Sequence, residues 1–305
     1  MSRLPLLALT FTLLLTSCKP RVAPTDGKIK VVCTIFPEYD WARQMAGEDN
    51  EKILLTLIVK NGLDLHTFQP TEADIAQIQN ADLLIYNGGS SEDWVKTALS
   101  GTSNPNQKVI NLTEVLEQRL IDGDEHLWLS LQNAEYSCKA IANALAQLDP
   151  QNLATYKKHY EKYAAELELL AQQFDYATLT ATKHTLIFAD RFPFAYLLSD
   201  YGLNYYSVFE GCNTQTEPTE QAIAFIADKI NELDVDFLYV IETSDDKLPK
   251  AITSKAHNYN CDTIRIDSMQ ATTLRSAIGG KTYIKTMQKN LEQLERGLKP
   301  KEPLL

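Results

Sequence analysis

The chain has 305 residues, of which 23% are charged, and a formal net charge of −11. That length admits two domains with separate cores. The acidic balance argues against a nucleic-acid partner and is compatible with attraction of a cation. Beyond the first 18 residues no run is long and apolar enough for a transmembrane helix.

Residues 1–17 read as a lipoprotein signal peptide. Arg3 supplies a positive charge, and Leu6 to Leu15 form an apolar stretch of about ten residues. Leu15-Thr16-Ser17-Cys18 then resembles a bacterial lipoprotein processing box, with Cys18 the expected site of lipidation and membrane anchoring. Residues 18–28 contain Pro20, Pro24 and Gly27 without apolar periodicity, so they read as a tether. A first lobe is expected over 29–149, a connecting helix over 150–177, a second lobe over 178–298 and a tail over 299–305.

Strand and helix signals alternate along the first lobe. Lys30 to Phe36 is a β-rich run stopped by Pro37, and Tyr39 to Ala46 reads as a helix closed by Gly47. Ile53 to Val59 is a second strand. Thr71 caps a helix to Gln79. Asp82 to Asn87 is a third strand ending in Gly88-Gly89-Ser90-Ser91, which reads as a turn. Trp94 to Leu99 is helical, and Val109 to Leu112 is a short fourth strand. From Pro150 to Tyr176 apolar residues recur at steps of three and four, without Gly or Pro. That predicts one amphipathic helix of some seven turns, longer than a crossover needs. The alternation then restarts: strands at Thr185 to Ala189, Asn204 to Phe209, Phe237 to Ile241 and Thr263 to Ile266. Helices are expected at Pro193 to Tyr201, Glu217 to Leu233, Lys247 to His257 and Thr282 to Leu298. The fold class is α/β: two lobes, each a mainly parallel sheet flanked by helices, joined by one long rigid helix.

Beyond Cys18 the cysteines are Cys33, Cys138, Cys212 and Cys261. None forms a Cys-x-x-Cys pair, so a cysteine zinc site is not expected; two disulfides or buried thiols are both open. Two of the five histidines stand out. His66 follows Asp64-Leu65, and His126 follows Asp124-Glu125. Asp190, Glu242 and Asp267 each follow a strand directly, where open α/β sheets bind ligands. Singly, each has a plain structural explanation: a loop histidine, a helix cap, an Asp190–Arg191 pair, a turn capped at Ser268. Together they suggest a pocket for a divalent transition metal. His159, on the long helix, and His184 and His257, at element ends, are expected in solvent. No Gly-x-Ser-x-Gly elbow, phosphate loop or His-Glu-x-x-His helix is present.

The chain resembles the solute-binding lipoproteins of zinc and manganese ABC importers. The resemblance runs from Lys30 to Leu298. It is carried by Thr34-Ile35-Phe36-Pro37, His66-Thr67-Phe68-Gln69-Pro70, Asp124-Glu125-His126-Leu127-Trp128-Leu129, Tyr201-Gly202-Leu203, Glu217-Pro218-Thr219, Ile266-Asp267-Ser268 and Tyr283 to Leu291. It implies His66 and His126 as metal ligands from the first lobe and Asp267 from the second. The family's third ligand, usually His or Glu, falls on Arg191 when counted back from Tyr201-Gly202-Leu203. Arginine stays protonated and cannot bind a cation. Counting along the strand lands on Asp190, and Asp190-Arg191-Phe192-Pro193-Phe194 resembles a variant branch of zinc importers, so Asp190 is the expected ligand, with Arg191 orienting it and Glu210 and Glu242 in reserve. The His-rich loop of many zinc-specific members is missing between Leu112 and Asp124. What the resemblance implies is a non-enzymatic monomer, lipid-anchored on the extracytoplasmic face. It would capture Zn2+, with Mn2+ second, and deliver it to an ABC permease. The alternatives are a metal-dependent surface adhesin, or a secreted metallohydrolase using Glu242 as base.

Overall fold

Among the described residues, eight short strands form two separate four-stranded parallel sheets. The computed structural model describes residues 27–47, 50–102, 104–209, 211–212, 217–257 and 261–299. Cys18, the proposed signal, all but the end of the tether, the tail beyond residue 299 and Glu210 lie outside them. Among the described residues no helix is long and apolar enough to cross a membrane.

In the first lobe the strands are β1 (Ile29–Cys33), β2 (Ile53–Leu57), β3 (Leu83–Tyr86) and β4 (Lys108–Asn111), in the order β2-β1-β3-β4. Val31 pairs with Leu55 on one side and Leu83 on the other. The second lobe repeats the plan with β5 (Thr185–Phe188), β6 (Asn204–Ser207), β7 (Phe237–Ile241) and β8 (Asp262–Ile266), in the order β6-β5-β7-β8. Every residue of β3 is buried. That is why it reads as an unbroken apolar run: helices cover both faces of a parallel sheet.

Boundaries shift where caps decide them. Pro37 lies in the first turn of a helix that already starts at Phe36, where its missing N–H costs nothing. Thr71 and Asp74 form the reciprocal cap that opens the helix Glu72–Gln79. Leu112 begins a one-turn helix rather than ending β4. Two further helices among the described residues, Leu131–Leu148 and Leu274–Ile278, also lie outside the expected elements.

A 27-residue helix, Leu153–Leu179, links the lobes. Its buried stripe of Tyr156, Tyr163, Leu167, Leu170 and Phe174 follows the expected spacing, while Leu153 is exposed. His159 on this helix is not solvated as expected. Its Nδ1 lies 3.0 Å from the carbonyl of Met45, so it supports the end of the helix Phe36–Ala46.

One apolar cluster runs from the first lobe into one face of the second sheet, and a smaller one, with Ile187, Leu238 and Val240, fills that sheet's other face. Trp128 Nε1 donates to the Ser268 carbonyl at 2.9 Å, and the Tyr283 hydroxyl donates to the Trp128 carbonyl at 2.7 Å. Tyr283 N–H donates to buried Asp40 at 2.7 Å, and the Trp41 and Tyr283 rings meet edge to face at 5.1 Å. Arg43, paired to Asp40 at 2.5 Å, also donates to the Ala277 carbonyl at 3.0 Å. These bonds tie first-lobe elements to the helix Tyr283–Leu298 and the loops before it. Buried polar groups satisfied across a seam resist its opening.

Candidate metal centre

His66 is set by a local device. It sits in a single turn, Leu65–Thr67, just past β2, and the carboxylate of Asp64 accepts its backbone N–H at 3.0 Å. The same carboxylate's other oxygen takes Arg191 Nη1 at 2.5 Å, across the seam. His126 repeats the device. Asp124 Oδ1 accepts the His126 backbone N–H and also lies 2.7 Å from its Nδ1. His126 is 3% exposed.

Each imidazole thus has its Nδ1 occupied. His126 donates there to a carboxylate, and His66 Nδ1 sits 2.7 Å from the Ser91 hydroxyl. Fixing one ring nitrogen leaves the other as a lone-pair donor of defined direction. Those donors face one another: His66 Nε2 and His126 Nε2 are 3.2 Å apart. A tetrahedral zinc with Zn–N bonds of ~2.0–2.1 Å spaces its nitrogens by roughly 3.3 Å. The pair therefore stands at nearly the separation that a shared ion requires.

Ser91 is itself held. The Glu125 carboxylate accepts the backbone N–H groups of Ser90, at 2.6 Å, and Ser91, at 3.2 Å, and the Ser90 hydroxyl as well. Burial pushes Glu125 up, but these hydrogen bonds outweigh it and hold the carboxyl below the usual range. Gly89 makes the approach possible: at φ +83° a Cβ there would sit 2.7 Å from Glu125 Cδ. The Gly88-to-Ser91 segment is a turn, as expected, and it carries a supporting role that its composition did not reveal.

The third side chain facing this point is Cys212. Among the described residues one set of His, Cys, Asp or Glu donors lies mutually within 4.8 Å: His66, His126 and Cys212. Cys212 follows β6, one residue after Gly211, whose carbonyl accepts Phe192 N–H at 3.0 Å. Gln270 Nε2 donates to its sulfur at 3.5 Å. Burial raises the thiol, but hydrogen bonds from His126 and His66 outweigh that and bring it down to about 7. Burial opposes charge on His126 too, yet Asp124 and Cys212 push the imidazole up to about 10. The thiol and the imidazole thus favour each other's charged forms. Thiolate is the form that binds metal, and an entering ion displaces the proton.

The second-lobe carboxylates take other partners. Asp267 pairs with Lys281 Nζ at 2.6 Å and accepts Met269 N–H at 2.8 Å. Asp190 accepts the backbone N–H of Arg191 at 2.8 Å. Neither belongs to the donor trio. Both cap their own loops, which is the plain structural explanation open to any carboxylate at a strand end. Arg191 does not orient Asp190 as expected; its guanidinium pairs with Asp64. Glu242 accepts the backbone N–H and the hydroxyl of Ser268, each at 2.9 Å, so both its oxygens hold a loop. Glu210 lies outside the described residues. Cys33 and Cys138 are buried free thiols away from the site, as is Cys212 within it, so no disulfide joins them.

Two parallel-sheet lobes joined by one long helix, with two imidazoles meeting at their seam, fit the class of metal-binding solute-binding proteins. Within it, the chain belongs to the family described as zinc-uptake complex component A, periplasmic (ZnuA), whose model matches residues 31–297. A Bacillus subtilis protein named high-affinity zinc uptake system protein ZnuA is 25% identical over 93% of this chain and 92% of its own length. Streptococcus pyogenes zinc-binding protein AdcA is 25% identical over 95% of this chain, which spans 59% of that relative's length. The crystal structure of the metal-dependent lipoprotein YcdH from Bacillus subtilis superposes with a TM-score of 0.77 at 26% identity, covering 89% of this chain and 100% of that one. The Zn(II)-bound ZnuA-like domain of Streptococcus pneumoniae AdcA shares the fold, with a TM-score of 0.75 at 24% identity over 89% and 99%. These relatives are named for binding or taking up metal, not for catalysis.

Proposed function

We propose that this protein captures a divalent transition metal at the seam between its lobes, zinc ahead of manganese, and delivers it to an ABC permease. The observation that carries this reading is the 3.2 Å separation of two imidazole Nε2 atoms, each braced from behind and accompanied by a buried thiol. The metal is cargo, not a catalyst. His66, His126 and Cys212 are the proposed ligands. Asp190 and Asp267 become loop-holding carboxylates, and Arg191 a clasp across the seam.

Lipidation at Cys18, anchoring on the extracytoplasmic face and action as a monomer complete the proposal. They rest on the Leu15-Thr16-Ser17-Cys18 sequence and the resemblance to metal-importer lipoproteins. The hydrolase reading loses its base, because Glu242 is committed to Ser268. The adhesin reading draws no support from the site. The test is elemental analysis of protein purified without added metal, with zinc titration of wild type and His126→Ala. One zinc per chain, lost in the variant, is expected. Stoichiometric zinc that survives His126→Ala would overturn the assignment.

A further inference from the structure

The proposed capture site carries one ligand whose chemistry is unlike the rest. Oxygen donors suit manganese, magnesium and calcium, whereas thiolate suits zinc and softer ions. Several oxygen donors near this seam are already committed. Asp267 is neutralised by Lys281, Asp64 by Arg191, and Glu242 holds Ser268. Asp124 and Ser91 face the rear nitrogens of the imidazoles. What converges from the front is two Nε2 atoms and the Cys212 sulfur.

The sulfur is built in rather than incidental. Cys212 is 7% exposed, so its side chain is enclosed by the seam. Outside the trio the sulfur meets a neutral amide, Gln270, whose N–H points at it from 3.5 Å. Gln270 follows Met269, a buried, bulky residue held at φ +66°. Left-handed backbone at such a residue is strained and persists only where the surroundings enforce it. Here they do: Met269 N–H is bound by Asp267, and the Ser268 carbonyl by Trp128 of the first lobe. The strained turn delivers an amide, which supplies a hydrogen bond to the sulfur and adds no competing anionic oxygen.

We infer that Cys212 makes this a thiolate site that selects zinc and softer d-block ions, such as cobalt(II), cadmium(II) and copper(I), and turns away manganese. The inference rests on the metal-capture reading and deepens it by naming the residue that chooses the ion. Gln270 is a positioning residue for that sulfur.

The test uses metal-free protein titrated with cobalt(II) alone, followed by zinc and manganese in competition. Wild type should develop a sulfur-to-cobalt charge-transfer band in the near ultraviolet, with the intense visible bands of a tetrahedral ion. Cys212→Ser should lose the ultraviolet band and keep cobalt bound through its imidazoles. Its zinc-over-manganese preference should shrink by about tenfold or more, since sulfur favours zinc. Wild-type spectra without a sulfur band, or an unchanged preference in Cys212→Ser, would overturn the inference and leave metal capture intact. Failure of wild type to bind any of the three ions would overturn both. The wild-type spectrum decides the matter even if the serine variant does not fold.

Discussion

The two lobes share a strand order but equip the seam differently. The first lobe presents its histidines on a dense scaffold: Asp64 and Asp124 each lock a backbone N–H two residues on, and Asp124 and Ser91 occupy the rear nitrogens. The second lobe presents Cys212 on a loop, supported by Gly211 and Gln270. The contrast separates two tasks. A braced imidazole pair supplies affinity, because its geometry is set before the ion arrives. A single sulfur on a thinner support supplies choice.

The largest effect should come from removing an imidazole. His126→Ala or His66→Ala should weaken zinc binding by more than ~100-fold, beyond the ~10–100-fold that loss of a supporting partner costs. Calorimetric titration measures it, and equal affinity in either variant would break the contrast at once. Next comes the bracing. Asp124→Asn keeps the shape of the side chain but removes its charge, and should cost ~10–100-fold in zinc affinity. Ser91→Ala should sit at the lower end of that range. If both were silent, the first lobe would be no better wired than the second.

The clasp across the seam should matter less. Arg191 and Asp64 are 23% and 18% exposed. Arg191→Ala should lower stability by ~1 kcal/mol or less, with an effect that fades at high salt. Thermal melts at two ionic strengths check this.

A separate effect, on stability rather than binding, is a pH slope from the buried pair Glu38 and Glu92. Burial raises Glu38 well above its usual value, and neighbouring Glu92 raises it further; burial pushes Glu92 up to about 7. One oxygen of each carboxyl has no hydrogen-bond partner among the described residues. A carboxyl whose folded pKa exceeds its unfolded value stabilises the fold at low pH, and that contribution fades as pH rises through the folded pKa. Stability should therefore decline between about pH 4.5 and 7 from this source. Glu92→Gln, a neutral mimic, should flatten the decline in melts across that range. An unchanged slope would remove Glu92 as its origin.

Much of the fold was legible because buried parallel strands leave unbroken apolar runs, as at Leu83 to Tyr86, and because Thr71 caps a helix by a local rule. The helix Leu131–Leu148 escaped notice. Its buried face is built largely from Ala134, Ser137, Cys138, Ala142 and Ala144, small residues that permit close packing and give a faint periodic signal. The histidines were legible through their Asp-x-His setting, which is a local device. Cys212 was not. It lies in irregular chain after β6, and only the docking of the lobes brings it to His66 and His126. Asp190 and Asp267 attracted attention by their place at strand ends, yet the same place makes a carboxylate useful for capping its own loop.

In the proposed function one ion is held jointly by imidazoles from the first lobe and sulfur from the second. X-ray absorption at the zinc edge of the loaded protein tests it most directly. The prediction is two imidazole nitrogens at ~2.0–2.1 Å and one sulfur at ~2.3 Å. A zinc shell of oxygens alone, without imidazole scattering or sulfur, would contradict it.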